Sequence, residues 1–192
     1  MFWLAGLLGL HWFKFMQVIK NIAPFFLQRA RDHDEVKDKI LQIINADRIF
    51  ASSTPTESIA NTDFYLADIF KQQKGQQYWD LIYPSIEKHY NDILKETGLT
   101  IWSLHRYWFQ TYKPNDYHGW HVHAGCMFSN VYYLSLPDGA AKTSFSYLGD
   151  EFQIDVQEGD ILTFPSFLPH CSKSNMSDAP KHVIAFNSNL NM

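Results

Sequence analysis

The periodicity of this chain changes at Thr100. Up to Gly98, apolar residues return every three or four positions; beyond Thr100 they come in short β-branched and aromatic runs separated by turn residues. Helices followed by strands, with little mixing, give an α+β fold. In the first part, residues 16–30 read as a strand, a turn at Pro24 and the start of a helix. Phe25, Phe26, Ala30, Val36, Ile40, Ile43 and Ile44 carry the helical pattern. Residues 51–55 break it, and residues 62–70 read as a short helix ending by Gly75. Tyr78, Ile82, Ile86, Tyr90, Ile93 and Leu94 mark a longer amphipathic helix that Gly98 stops. The strand candidates are 101–112, 120–123, 128–136, 143–147, 152–156, 161–164 and 182–187, with turn signals at 114–116, 137–139, 149–150 and 158–160. Seven or eight short strands predict a sandwich or barrel, with the helical half packed on one outer face.

A length of 192 residues favours one domain with one substantial core. Residues 1–15 read as an extension or a start-site artefact, and 16–192 as a single domain, mainly helical over 16–99 and β over 100–192. The apolar run at the N-terminus stops at His11 and Lys14, too short to span a bilayer. Sixteen basic against twenty acidic residues leave a formal charge of −4, which provides no footprint for nucleic acid. Two cysteines, Cys126 and Cys171, make no disulfide framework, so a reducing, cytoplasmic setting is the plain reading.

Chemistry concentrates in HGWHVHAGC, residues 118–126. Alternate residues of a strand project to one face, roughly 6.6–6.8 Å apart, so His121 and His123 can converge on one ion. His170, which closes the run GDILTFPSFLPH, is the best candidate for a third ligand. Three imidazoles with open positions suit iron, copper, nickel or zinc. His118 reads as a loop residue, and His11, His33, His89, His105 and His182 as surface or packing residues. A closed zinc site drawing on Cys126 and Cys171 competes, but small buried hydrophobes are the plainer reading of both cysteines.

Five segments together resemble the double-stranded β-helix, or jelly-roll, of the iron(II)/2-oxoglutarate-dependent dioxygenase superfamily. They are WFQTY (108–112), HVH (121–123), SNVYYL (129–134), FPSFLPH (164–170) and KHVIAFN (181–187). The likeness is strongest to its small bacterial and phage oxygenases and more remote to prolyl hydroxylases. The resemblance implies iron(II) held by His121, His123 and His170, and 2-oxoglutarate held by Lys181, Tyr112 and Tyr133. Its reaction is hydroxylation of a substrate by dioxygen coupled to decarboxylation of the co-substrate. Lys181, eleven residues after His170, matches the basic residue that pairs with the far carboxylate of 2-oxoglutarate. Alternation places Lys181, Val183 and Ala185 on one face of their strand.

His123 departs from the pattern, since most of the superfamily has Asp or Glu there. Three readings stay open: His123 ligates; a carboxylate such as Asp116, Asp138 or Asp150 completes the site; or the position is vacant. Two further functions compete with the 2-oxoglutarate enzyme. One is a cupin-like three-histidine dioxygenase, although the expected Glu is replaced at Met127 and Phe128 and the expected Gly at Phe167. The other is an inactive β-helix used as a binding module. The prime substrate carries no sequence signature; Trp108, Trp120 and Phe128 are candidates for an aromatic wall.

Overall fold

The structure is a computed structural model and describes residues 17–19, 23–46, 58–64 and 76–191. The extension expected over 1–15, His11 and the break expected at 51–55 lie outside these residues, as does most of the short helix expected over 62–70.

Two antiparallel sheets face each other. The larger contains β1 (Gln17–Ile19), β2 (Phe25–Arg29), β4 (Asn61–Thr62), β5 (Ile101–Tyr112), β7 (Phe128–Ser135), β10 (Asp160–Pro165) and β12 (Lys181–Asn191). Its spatial order is β1-β2-β10-β7-β12-β5-β4. The smaller contains β3 (Ser58–Ile59), β6 (Tyr117–His121), β8 (Thr143–Tyr147), β9 (Asp150–Gln153) and β11 (His170–Ser172), in the order β3-β6-β11-β8-β9. Helices α1 (His33–Ala46) and α2 (Gln76–Thr97) pack together on the outer face of the larger sheet. The α+β jelly-roll with helices on one face is the architecture that the sequence predicts. Among the described residues no helix is long and apolar enough to cross a membrane.

Alternation along the large sheet divides the core in two. One set of side chains, including Phe109, Tyr132, Ile161, Ile184 and Phe186, meets Ile40 and Ile44 of α1 and Ile82, Ile86, Tyr90 and Ile93 of α2. The other set, including Tyr112, Tyr133, Leu162, Phe164 and Val183, meets Phe145 and Leu168 between the sheets. Strand β12 is paired on both sides, with β5 and β7, and is buried nearly throughout. Its register leaves Lys181, Val183, Ala185 and Asn187 facing the smaller sheet.

The segment 25–29 is a strand and not the predicted helix. Phe25 belongs to the inter-sheet core and Phe26 to the helix-side core, so both faces of β2 are buried. A strand buried on both faces loses its alternation and is indistinguishable by periodicity from a buried helix. Likewise, Thr62 ends a short strand on the edge of β5 and does not begin a helix. Gly98 stops α2 as expected, with φ of +72° and its N–H bonded to the Leu94 carbonyl at 2.9 Å. Gly159 turns the chain into β10 with φ of +90°, a conformation that favours glycine, and a Cβ there would also press on the His33 ring at 3.0 Å.

Candidate metal centre

A pocket opens between the sheets, about 480 Å³ including its mouth. His121 at the end of β6, His123 two residues later and His170 at the start of β11 project into it. One ring nitrogen of each lies within 4.8 Å of the others, close enough to share one ion. His121 and His170 are register partners across β6 and β11, which makes their approach a direct product of strand pairing. The loop carrying His123 is pinned by its backbone N–H, which donates to the Ser166 carbonyl at 3.0 Å.

The tautomers of two of these histidines are set by backbone. His121 Nδ1 faces the Gly119 carbonyl at 2.8 Å and His170 Nδ1 faces the Leu168 carbonyl at 2.9 Å. A carbonyl only accepts, so Nδ1 carries the proton in both rings and Nε2 presents its lone pair to the pocket. Burial holds the imidazoles neutral. The pKa of His170 is pushed down to about 2 and that of His123 to about 4, and His121 is lowered too, by desolvation first. Neutral imidazole is the metal-binding form.

Among the described residues no carboxylate lines the pocket. Asp116 is occupied in a turn, accepting from the Lys113 N–H at 2.9 Å, and neither Asp138 nor Asp150 lines the pocket. Cys126 and Cys171 are free thiols outside the convergent group, so the closed zinc site has no support.

His118 lies in strand β6 and not in the expected loop, and it also faces the pocket. The reason is a bulge. Three steps of β6, from His121 back to His118, oppose only two steps of β11, from His170 to Ser172. The extra residue brings His118 round to the face of His121, where the two rings stack. Gln110 Nε2 lies 3.0 Å from His118 Nδ1, and the Tyr112 hydroxyl donates to Gln110 Oε1 at 2.8 Å.

That chain leads to Lys181 at the inner end of the pocket. The residue is only 2% exposed; its ammonium donates to the Ala141 carbonyl at 2.9 Å and to the Ser172 hydroxyl, and sits 4.1 Å from the centre of the Tyr112 ring. Among the described residues no carboxylate pairs with it, and burial lowers its pKa to about 7. A buried ammonium without a counter-charge is costly, and an anion arriving in the pocket relieves it. Tyr112 lines the pocket; Tyr133 stands behind Thr143, which does, and shares a 2.7 Å hydrogen bond with it. Of the three aromatic-wall candidates, Trp108 lines the pocket. Trp120 is exposed, and Phe128 packs in the helix-side core.

No family model matches the sequence, and no curated protein matches it either. Solved structures do match, among them two prolyl hydroxylases and a non-haem α-ketoglutarate-dependent epimerase. A viral collagen prolyl hydroxylase from Paramecium bursaria Chlorella virus-1, solved with 2-oxoglutarate, superimposes with a TM-score of 0.59 at 13% identity. The match covers 88% of this chain and 96% of that one. A prolyl-4-hydroxylase from Pseudomonas putida gives 0.57 at 16% identity, over 86% of this chain and 92% of the other. An α-ketoglutarate-dependent epimerase of nogalamycin biosynthesis gives 0.65 at 10% identity, over 87% and 76%. The chain therefore has the fold of the 2-oxoglutarate-dependent iron oxygenases.

Proposed function

We propose that this protein is a non-haem iron(II), 2-oxoglutarate-dependent oxygenase that hydroxylates its substrate. One observation carries the reading. Three neutral imidazoles converge at one level of the pocket, and an ammonium with no carboxylate partner among the described residues is buried at its inner end. The donor set fits iron(II): imidazole nitrogen suits it, and a three-ligand site leaves positions for a co-substrate and oxygen. His121, His123 and His170 would hold the metal, with His123 replacing the usual carboxylate. Iron(II) and 2-oxoglutarate would together supply the activation of dioxygen.

The protein's own residues divide the remaining work. The carbonyls of Gly119 and Leu168 keep the Nε2 atoms of His121 and His170 aimed inward. Lys181 supplies the positive charge for the far carboxylate of 2-oxoglutarate, as a point charge without the bidentate fork of arginine. Tyr112 covers the ammonium with its ring, and Tyr133 fixes Thr143 in the wall. Val183 and Phe164 keep the intervening wall apolar, which strengthens charge pairing by excluding water.

A cupin-like dioxygenase would use the three histidines but gives Lys181 no task. The test is turnover. Iron-loaded protein under air should convert 2-oxoglutarate to succinate above the rate of iron alone, and Lys181→Ala should lose most of that conversion. Absence of succinate from protein that holds iron would overturn the proposal.

A further inference from the structure

The side-chain oxygen of Asn187, a pocket-lining residue only 5% exposed, is buried with no hydrogen-bond partner among the described residues. Buried amide oxygens are nearly always paired, so an orphan in a residue that lines a cavity points to a ligand. Its cross-strand neighbours are Arg106 on β5 and Ser129 on β7. Both are turned elsewhere. Arg106 donates to the Phe64 carbonyl, with its guanidinium 3.8 Å from the centre of the Phe64 ring. The Ser129 hydroxyl donates to Ser166 at 3.1 Å. A bulge in β5 lies beside Asn187: the pairing passes from Asn187–Arg106 to Ser188–Leu104 and skips His105. Bulges of this kind re-aim neighbouring side chains.

The register locates Asn187 relative to the metal ligands. Trp108 is paired with Ala185, and its ring centre lies 5.7 Å from that of His123. The histidines thus stand near the level of Ala185. Asn187 lies one inward-facing position beyond them, on the side away from Lys181, with about 20 Å of strand between the two. Trp108 and Ala185 make the adjoining wall apolar, and among the described residues that line the pocket Lys181 is the only Lys, Arg, Asp or Glu.

We propose that Asn187 is a substrate-binding residue. Its amide oxygen accepts a hydrogen bond from an N–H or O–H group of a neutral substrate whose adjoining C–H portion lies against Trp108, beside His123. This inference rests on the oxygenase reading, because it places the substrate across the metal ligands from the Lys181 end.

The test uses protein loaded with zinc(II), a redox-inert metal, and 2-oxoglutarate. The probes are N-isobutylacetamide and isobutyl acetate, which match in shape and differ in the N–H. Nitrogen-15 spectra should show the amide probe shifting the Asn187 side-chain signals. It should bind at least about tenfold more tightly than the ester, the value of one buried hydrogen bond. In Asn187→Leu the two probes should bind alike, while zinc and 2-oxoglutarate affinities stay unchanged. Ligand-free Asn187→Leu should melt no lower than the wild type, because an unpaired polar atom has been removed; a marked fall would show a structural role instead. Unmoved Asn187 signals, equal affinities of the wild type for both probes, or no binding of the amide would overturn this inference. A wild type that takes up neither zinc nor 2-oxoglutarate would instead overturn the oxygenase reading.

Discussion

His118 lies flat against His121, with ring centres 4.0 Å apart and planes 10° from parallel. The stack leaves His121 little freedom to rotate about its outer bond, and the Gly119 carbonyl removes the rest. Outer residues that orient a metal ligand are worth about 10–100-fold in affinity. His118→Ala should therefore weaken metal binding by about that factor without abolishing it. His118→Phe keeps a flat ring and should recover most of the loss. Isothermal titration with zinc(II) would measure both variants.

Removing the charge at Lys181 should separate co-substrate from metal. Lys181→Ala is expected to weaken 2-oxoglutarate binding by at least about tenfold, the value of a charge-assisted hydrogen bond. Metal affinity should stay within about twofold of the wild type, since the ammonium touches no metal ligand. Equal loss of both would count against the role given to Lys181. Calorimetry of each ligand in turn would decide.

Lys181 also predicts a pH dependence. Its folded pKa, about 7, lies below the ordinary lysine value of 10.5 because burial disfavours the charged form. Between these values the unfolded chain binds the extra proton, so its contribution makes the ligand-free protein more stable as pH rises from about 7 toward 10. Below about pH 7 the full cost is present. A bound carboxylate favours the charged amine, so 2-oxoglutarate binding at pH 8 should take up a proton. Its heat should accordingly vary with the ionisation enthalpy of the buffer.

The histidines act in the opposite pH range. His33, His89, His118, His121, His123, His170 and His182 all have lowered pKa values, each with desolvation as the largest cause. They stay neutral in the folded metal-free protein while the unfolded chain protonates below about 6.5. Stability present above that pH should be lost on acidification, by up to about 1.4 kcal/mol per pH unit for each such histidine. Urea titrations between pH 7 and 4 should show this loss.

Asn130 holds the wall behind the site. It accepts from the Tyr90 and Thr163 hydroxyls and donates to the Phe186 carbonyl and to Ser188. Asn130→Ala strands several buried groups at once and should cost about 2–4 kcal/mol, read from urea denaturation.

The parts of this account that were legible in the sequence share a physical cause. Lys181, Val183 and Ala185 could be assigned one face because a strand has a fixed period of two, and β12 keeps it. His121 and His123 also converge, but not through that period: β6 ends at His121, and His123 stands on the loop that follows, held by the bond from its N–H to the Ser166 carbonyl. Where the backbone leaves that period, the sequence is silent. The bulge that turns His118 inward lies in the pairing of β6 with β11, and the bulge beside Asn187 lies in the pairing of β12 with β5. Neither has a local signature. Gln110 could have been suspected, since it alternates with Trp108 and Tyr112 along β5. Phe25 and Phe26 misled because β2 is covered on both faces. The orphaned oxygen of Asn187 is a property of its neighbours' hydrogen bonds, which only three-dimensional structure reveals.

The most direct test of the oxygenase reading is an anaerobic titration with iron(II), followed by addition of 2-oxoglutarate. The account predicts one iron(II) per chain and a visible charge-transfer band when 2-oxoglutarate is added, with both lost in His170→Ala. Protein that binds no iron, or a His170→Ala variant that retains full iron and the same band, would contradict it.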